Sequence, residues 1–127
     1  MRVTFDIETD GLDPTVIHVL VAKQVDVEGN YVIRSPKAFA KFAEGVTEWI
    51  AHNGIGYDIP VVEKLWGYKI PLSKTTDTLV LSRLFEPQRT GGHSLKVWGE
   101  RLGDFKDDFS DWSKYSDEMK EYCKQDV

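Results

Sequence analysis

Two acids, Asp6 and Glu8, interrupt a run that is otherwise rich in β-formers, Val3-Thr4-Phe5-Asp6-Ile7-Glu8-Thr9. Alternate residues of a strand point to opposite faces. Val3, Phe5 and Ile7 therefore claim one face, and that face has to be buried. Asp6 and Glu8 share the other, with Cα atoms about 6.6 Å apart. Any fold for this chain must cover the apolar side and still tolerate two neighbouring carboxylates opposite it. A solvated strand end meets that demand, and so does a cation site.

The rest of the chain supplies a sheet for this strand. Residues 2–8 read as the strand itself, and Gly11, Asp13 and Pro14 mark a turn after it. Val16 to Val27 predicts a second strand, whose apolar run suits a central position. Glu28-Gly29-Asn30 predicts a tight turn and Tyr31 to Arg34 a third strand, completing an antiparallel meander. Ser35-Pro36 starts a helix, with Ser as N-cap and Pro at the first helical position; it runs to about Glu44 and stops at Gly45. Trp49 to His52 reads as a short strand, Ile59 to Leu65 as a helix, and Thr76 to Leu84 as a strand end passing into a helix. Gln88 to Gly92 reads as a loop. Ser94 to Leu102 reads as a helix closed by Gly103. Residues 104–115 read as an irregular, charged and aromatic excursion. Ser116 caps a last helix whose first turn carries Asp117 and Glu118, complementing its dipole. The expected fold class is α/β: a mixed sheet, with the meander plus further short strands, flanked by helices.

At 127 residues the chain has room for one domain. No run of about 18 apolar residues occurs, so no membrane span is expected. The first residues carry no signal-peptide pattern. A single cysteine, Cys123, excludes an internal disulfide and a Cys-rich zinc site, and a reducing cytoplasm is the natural setting. The net charge of −5 is awkward for a nucleic-acid binder, where a basic face is usual. It is less so if four of the acids ligate two divalent cations, which cancels four charges and leaves about −1.

Further acids could join Asp6 and Glu8. Tyr122 and Asp126 stand four apart on the last helix, so they share a face, with Cβ atoms about 6 Å apart. Taken alone they suit an amphipathic surface helix. Asp58 precedes a helix and suits an N-cap; one oxygen can cap while the other faces solvent or metal-bound water. Asn53 is either a turn residue beside Gly54 or a donor to a phosphate, and His52 reads as a packed strand-end histidine. Convergence would be costly. Two like charges about 4 Å apart repel by about 4 kcal/mol at an effective dielectric near 20. Either the carboxyl pKa values rise or divalent ions neutralise the cluster. Hard oxygen donors, without convergent Cys or His, favour Mg²⁺ or Mn²⁺ over zinc.

Asp6-Ile7-Glu8-Thr9, Asn53 to Asp58 and Tyr122 to Asp126 resemble, in order, the three exonuclease motifs of the DEDD superfamily in its Tyr-bearing branch. The chain is most similar to the proofreading domain of family A DNA polymerases from short-tailed phages. Asp77 to Leu84, His93-Ser94-Leu95 with Trp98-Gly99 and Arg101-Leu102-Gly103, and Lys106 to Phe109 extend the likeness over nearly the whole chain. The resemblance implies a ribonuclease H-like fold and two Mg²⁺ or Mn²⁺ ions held by Asp6, Glu8, Asp58 and Asp126, with Asp58 acting mainly through metal-bound water. It implies a water-orienting Tyr122. It implies that Thr9 and Leu12 contact the terminal nucleotide, Leu12 as a wedge, with Asn53 also on the substrate. One departure stands out: Asn53 and Asp58 are one residue further apart than in bacterial members.

The expected activity is hydrolysis of the 3′-terminal phosphodiester of single-stranded or frayed DNA, releasing nucleoside 5′-monophosphates. The expected setting is proofreading in the cytoplasm of a bacterial or phage-infected cell. An exoribonuclease of the same superfamily and a non-catalytic nucleic-acid-binding module are the alternatives. The chain stops one residue after Asp126, where a polymerase of this kind would continue. A fragment, a split gene product and a standalone exonuclease are all open, as is a polymerase domain acting in cis or in trans.

Overall fold

In the computed structural model the described residues are 1–85, 92–96, 98 and 115–127, the side chains of Gln125 and Asp126 excepted. β1 (Arg2–Thr9), β2 (Ile17–Gln24) and β3 (Tyr31–Ile33) lead into α1 (Pro36–Ala43) and β4 (Glu48–Ala51). A π-turn (Gly54–Asp58) runs directly into α2 (Ile59–Trp66); β5 (Thr75–Asp77), α3 (Thr78–Phe85) and α4 (Asp117–Asp126) follow. The five strands lie in the order β3-β2-β1-β4-β5. β1 pairs antiparallel with β2 and β2 with β3, whereas β4 is parallel to both β1 and β5. This is the mixed α/β sheet that the sequence predicts.

The period-2 reading of β1 sets the two layers. Val3, Phe5 and Ile7 enter the larger core with Leu20 and Ala22 of β2. Phe39 of α1 fills its centre, fully buried, with ring centroids 5.5 Å from Trp49 and 5.1 Å from Tyr68. Phe5 meets Trp49 edge to face at 5.4 Å. α1 is held at its start by Ser35, whose side chain accepts from Ala38 N. On the opposite face, α4 packs Cys123 against Val19 and Val21 of β2. Register places these valines beside Glu8 and Asp6 respectively. α4 thus covers the face of β1 that carries the acids. Ser116 caps this helix, accepting from Met119 N as expected.

Two stretches depart from expectation. The second strand ends at Gln24 rather than Val27. Asp26 takes a left-handed conformation (φ 64°) and Val27 N donates to Gln24 O, so the turn begins three residues early. The alternation Val25-Asp26-Val27 imitates a strand, but an Asp tolerates positive φ. The second departure is Asp58, which is not an N-cap. It is already helical (φ −59°, ψ −47°) and its side chain makes no capping bond. The expected loop at 88–92, the helix from Ser94 to Leu102 and the excursion at 104–115 fall largely outside the described residues.

The π-turn is tightly built. Asn53 enters it at φ 60°, and Tyr57 N and Ile59 N donate back to Asn53 O and Gly54 O. A Cβ on Gly54 would stand 2.6 Å from the Cβ of Ala51 at the end of β4. Neither atom can rotate away, so the backbone has to shift. Gly54→Ala is expected to lower stability by about 1–3 kcal/mol. A urea midpoint unchanged from wild type would show that the turn is loose.

Candidate active site

The acids gather at the carboxyl end of β1. β4 pairs with β1 only as far as Thr4, and beyond that point the π-turn lies alongside the strand. Asp58, at the end of the turn, accepts from the backbone N–H of Ile7 and shares a hydrogen bond with the side chain of Asp6. Its carboxyl is 3% exposed. Glu8 is also buried, and one oxygen of Asp6, one of Glu8 and Cys123 Sγ lie within 4.8 Å of one another. Of the four acids singled out from the sequence, Asp6 therefore meets two, Glu8 on one side and Asp58 on the other. Tyr122 sits half-buried on α4, the helix that covers them. Asp126 belongs to the same helix, and its side chain is outside the described residues.

Two carboxyl groups in hydrogen-bond contact need a proton between them or a cation beside them. Burial pushes Asp58 from 3.8 up to about 7; the Asp6 and Ile7 hydrogen bonds oppose that rise and the charge of Asp77 adds to it. Asp58 Oδ2 is buried and has no hydrogen-bond partner among the described residues. An orphaned buried oxygen on a carboxyl paired with Asp6, which itself adjoins Glu8, fits a hard divalent cation. Asp6, Glu8 and Asp58 are the residues here that would hold one.

A cavity of about 350 Å³ adjoins the acids, lined by Ile7, Glu8, Thr9, Gly11, Leu12 and Tyr57. Its wall is a small network. Thr9 Oγ1 and Tyr57 OH lie 2.7 Å apart, and each donates to the Gly11 carbonyl at 2.9 Å. The loop beyond is tied by Asp10, whose side chain accepts from the backbone and hydroxyl of Thr15 and from Val16 N. These bonds, the Thr15 hydroxyl first, hold the exposed Asp10 carboxyl down at about 2. Leu12 projects from this tied loop at 96% exposure. Asn53 is exposed, with its Oδ1 folded over the turn at 2.6 Å from where a Cβ of Gly56 would lie.

Three residues near the site escaped the sequence reading. As a lone cysteine Cys123 speaks in the sequence only against a disulfide and a Cys-rich zinc site and for a reducing setting, yet its thiol faces Asp6, with Sγ 3.5 Å from the main-chain oxygen and 4.0 Å from Oδ2. Its signal is helical spacing: Met119 and Cys123 are four apart and both fully buried. Tyr57 is marked only by being the aromatic beside Asp58. Asp77 is marked only by ending a strand before a helix.

Parallel strands carrying acids at their carboxyl ends, with a flanking helix folded back over them, define an exonuclease-type domain of ribonuclease H-like architecture. Residues 3–127 match the family profile described as the RNase_H superfamily, and the chain belongs to that superfamily. It is 29% identical to the DNA-directed DNA polymerase of Escherichia phage T7 over 76% of this chain and 21% of the polymerase. For the polymerase of Enterobacteria phage T3 the identity is 31% over 61% of this chain and 17% of the polymerase. The chain thus spans about a fifth of the length of these curated relatives. Among solved structures, Brucella melitensis NrnC with bound Mg²⁺ superposes with a TM-score of 0.77 at 25% identity, over 99% of this chain and 66% of NrnC.

The raised Asp58 carboxyl carries a pH signature. A folded-state pKa near 7 against an unfolded value near 3.8 means the native state binds the proton more tightly. Its contribution to stability is complete below the unfolded value and is lost as pH rises through the folded one. Without divalent ions, the Tm is expected to fall between pH 5 and pH 8, and Asp58→Asn to flatten that slope. Mn²⁺ should raise the Tm more at pH 8 than at pH 5, because binding displaces the proton. A Tm independent of pH in EDTA would place the Asp58 carboxyl outside a desolvated cluster.

Proposed function

We propose that this domain is a DEDDy-type 3′–5′ exonuclease that removes the terminal nucleotide from single-stranded or frayed DNA and releases nucleoside 5′-monophosphates. The observation that carries this reading is the hydrogen-bonded Asp6–Asp58 carboxyl pair with Glu8, placed beside a cavity of about 350 Å³. In this reading Asp6, Glu8, Asp58 and Asp126 hold two Mg²⁺ or Mn²⁺ ions. When bound, these ions supply Lewis acidity for the attacking water and for the leaving 3′ oxygen.

The chain's own residues supply position. Asp58, buried and tied to Ile7 N, keeps a carboxylate fixed beside Asp6. Tyr122 orients the attacking water from the covering helix. Thr9 and Tyr57 brace the Gly11 carbonyl, so that the exposed Leu12 can wedge against the last base pair. Asn53, at the rim of the π-turn, contacts the substrate. A frayed end is favoured because opening a matched step costs about 1.4 kcal/mol, and a mismatch less. That difference makes the site a proofreader without any contact to a base edge.

The phage polymerases similar to this chain support a role in DNA replication, with a polymerase domain in cis or in trans, in the cytoplasm of a bacterial or phage-infected cell. No helix among the described residues is long and apolar enough to cross a membrane. One observation favours an RNA substrate instead. The NrnC structure bound to pGG superposes with a TM-score of 0.78 at 26% identity.

Digestion of matched 5′-labelled DNA and RNA oligonucleotides, with EDTA, Mg²⁺ and Mn²⁺ lanes, tests both. The expected result is a metal-dependent ladder from the 3′ end of DNA; preferential shortening of RNA would favour the second reading. Asp6→Ala and Asp126→Ala are each expected to lower the rate by about 10³-fold or more with the fold intact. Wild-type activity in either variant would remove that residue from the site. Tyr122→Phe is expected to slow turnover about a hundredfold while Mn²⁺ binding, read by calorimetry, is unchanged. Loss of the metals would make Tyr122 structural.

A further inference from the structure

We infer that Asp77 is a positioning residue for this site: its carboxylate bridges two helix starts and thereby sets where the π-turn delivers Asp58. The catalytic consequence rests on the exonuclease reading above; the clamp itself rests on geometry alone. Asp77 ends β5, opposite Ala51 in the parallel register, and is 5% exposed. Its carboxylate accepts four backbone N–H groups. Leu79 N at 2.9 Å and Val80 N at 3.4 Å belong to the first turn of α3, where Asp77 acts as a local N-cap. Asn53 N at 2.9 Å and Ile55 N at 3.0 Å belong to the π-turn, 24 and 22 residues earlier in the chain.

The second pair is the informative one. A helix start leaves its first N–H groups without intrahelical partners. The π-turn and α2 form one continuous helical stretch, and neither Asn53 nor Asp58 caps it with a side chain. Asp77 does so from a neighbouring strand. It also fixes Asn53 where a left-handed residue begins the turn. A second tie runs parallel: Thr78 Oγ1 is 2.9 Å from His52 Nδ1 and donates to Ala51 O at 3.4 Å. The end of β4 and the start of α3 are thereby locked together around the π-turn. Asp58 lies one turn further on, with Asp6 and Ile7 as its partners. A slip at Asn53 or Ile55 would be felt directly as a displacement of the Asp58 carboxylate.

A carboxylate offers acceptor oxygens on both sides; an amide offers one oxygen and turns donors toward the rest. Here Oδ1 takes Leu79 N, Val80 N and Asn53 N while Oδ2 takes Ile55 N alone, so Asp77→Asn, with its amide oxygen in the place of Oδ1, keeps the first three bonds and turns an N–H donor toward Ile55 N. Asp77→Ser keeps the α3 cap through its hydroxyl but is too short to reach across, and it covers the case in which Asp77→Asn does not fold. Phe39→Leu, a truncation in the core far from the acids, serves as the control for general loss of stability.

Amide hydrogen exchange, Mn²⁺ calorimetry and steady-state digestion of a labelled oligonucleotide are to be measured on all four proteins. Exchange is expected to accelerate at Ile55 in Asp77→Asn and at both Asn53 and Ile55 in Asp77→Ser, while β1 and β2 amides stay protected. Mn²⁺ binding should weaken by about 10- to 100-fold and kcat fall by a similar factor, with KM unchanged. Phe39→Leu should alter none of these at the site. Unchanged exchange at Ile55 in both Asp77 variants, or Mn²⁺ affinity and kcat that fall no further than in Phe39→Leu, would overturn the inference. A wild-type protein that binds no Mn²⁺ would defeat the exonuclease reading instead, and the exchange data would then decide the clamp by themselves.

Discussion

Asp6 and Asp58 are held in hydrogen-bond contact although both are acids and one is almost fully buried. Left to themselves, two carboxylates at that distance would separate into water. Much of the structure can be understood as what prevents it. The aromatic core around Phe39 and Trp49 fixes β1 and β4 side by side. β4 then stops short, so that the edge of β1 beyond Thr4 is left to the π-turn. The N–H of Ile7 finds its partner in Asp58 rather than in a neighbouring strand. An acid thus occupies the place where the sheet would otherwise have continued, and a buried, high-energy arrangement is tied into the backbone bonding of the strand beside it. Such an arrangement suits a site that is to be completed by cations, because their arrival relieves the repulsion that the fold imposes.

The same logic accounts for the acidic balance of the chain. A net charge of −5 works against nucleic-acid affinity. Some of that charge, though, sits within a site whose proposed ligands reverse it. The relatives from phages T7 and T3 are several times longer than this chain. In the proposed setting, a partner domain holds the duplex and this one needs only to receive a frayed end. Weak binding by the exonuclease domain is then an asset, since a matched terminus should leave it readily.

What could be read from the residues was whatever is local. The faces of β1 follow from the alternation of Val3, Phe5 and Ile7 with Asp6 and Glu8. The starts of α1 and α4 follow from Ser35 and Ser116, because a hydroxyl and the N–H it caps lie within three residues. The end of β2 was misread because Val25 and Val27 continue an alternation that the positive φ of Asp26 cuts. Asp58 was read as a cap by the same local habit. What holds it is Ile7 and Asp6, some fifty residues away, and no local rule reaches that far. Asp77 opens a stretch that shares the family likeness, but its bridging role is hidden for the same reason: half of its bonds go to its own helix and look ordinary, while the other half cross to the π-turn. Meetings of remote segments become legible only when a set of motifs is taken together, as with Asp6 and Asp58.

The π-turn also bears on the one departure in motif spacing that the resemblance implies. An α-helix closes its bonds at i+4, and adding a residue would rotate everything beyond it by about 100°. That rotation would carry Asp58 off the face it needs. A π-turn closes at i+5, as Ile59 N does on Gly54 O, and takes up one residue without passing the rotation on. The two glycines make this possible, since a Cβ at Gly54 would strike Ala51 and one at Gly56 would strike Asn53. The extra residue that the resemblance implies between Asn53 and Asp58 is one that a turn of this kind can take up. The carboxylate stays beside Asp6, and Asn53 lies exposed at the rim of the turn with its N–H held by Asp77.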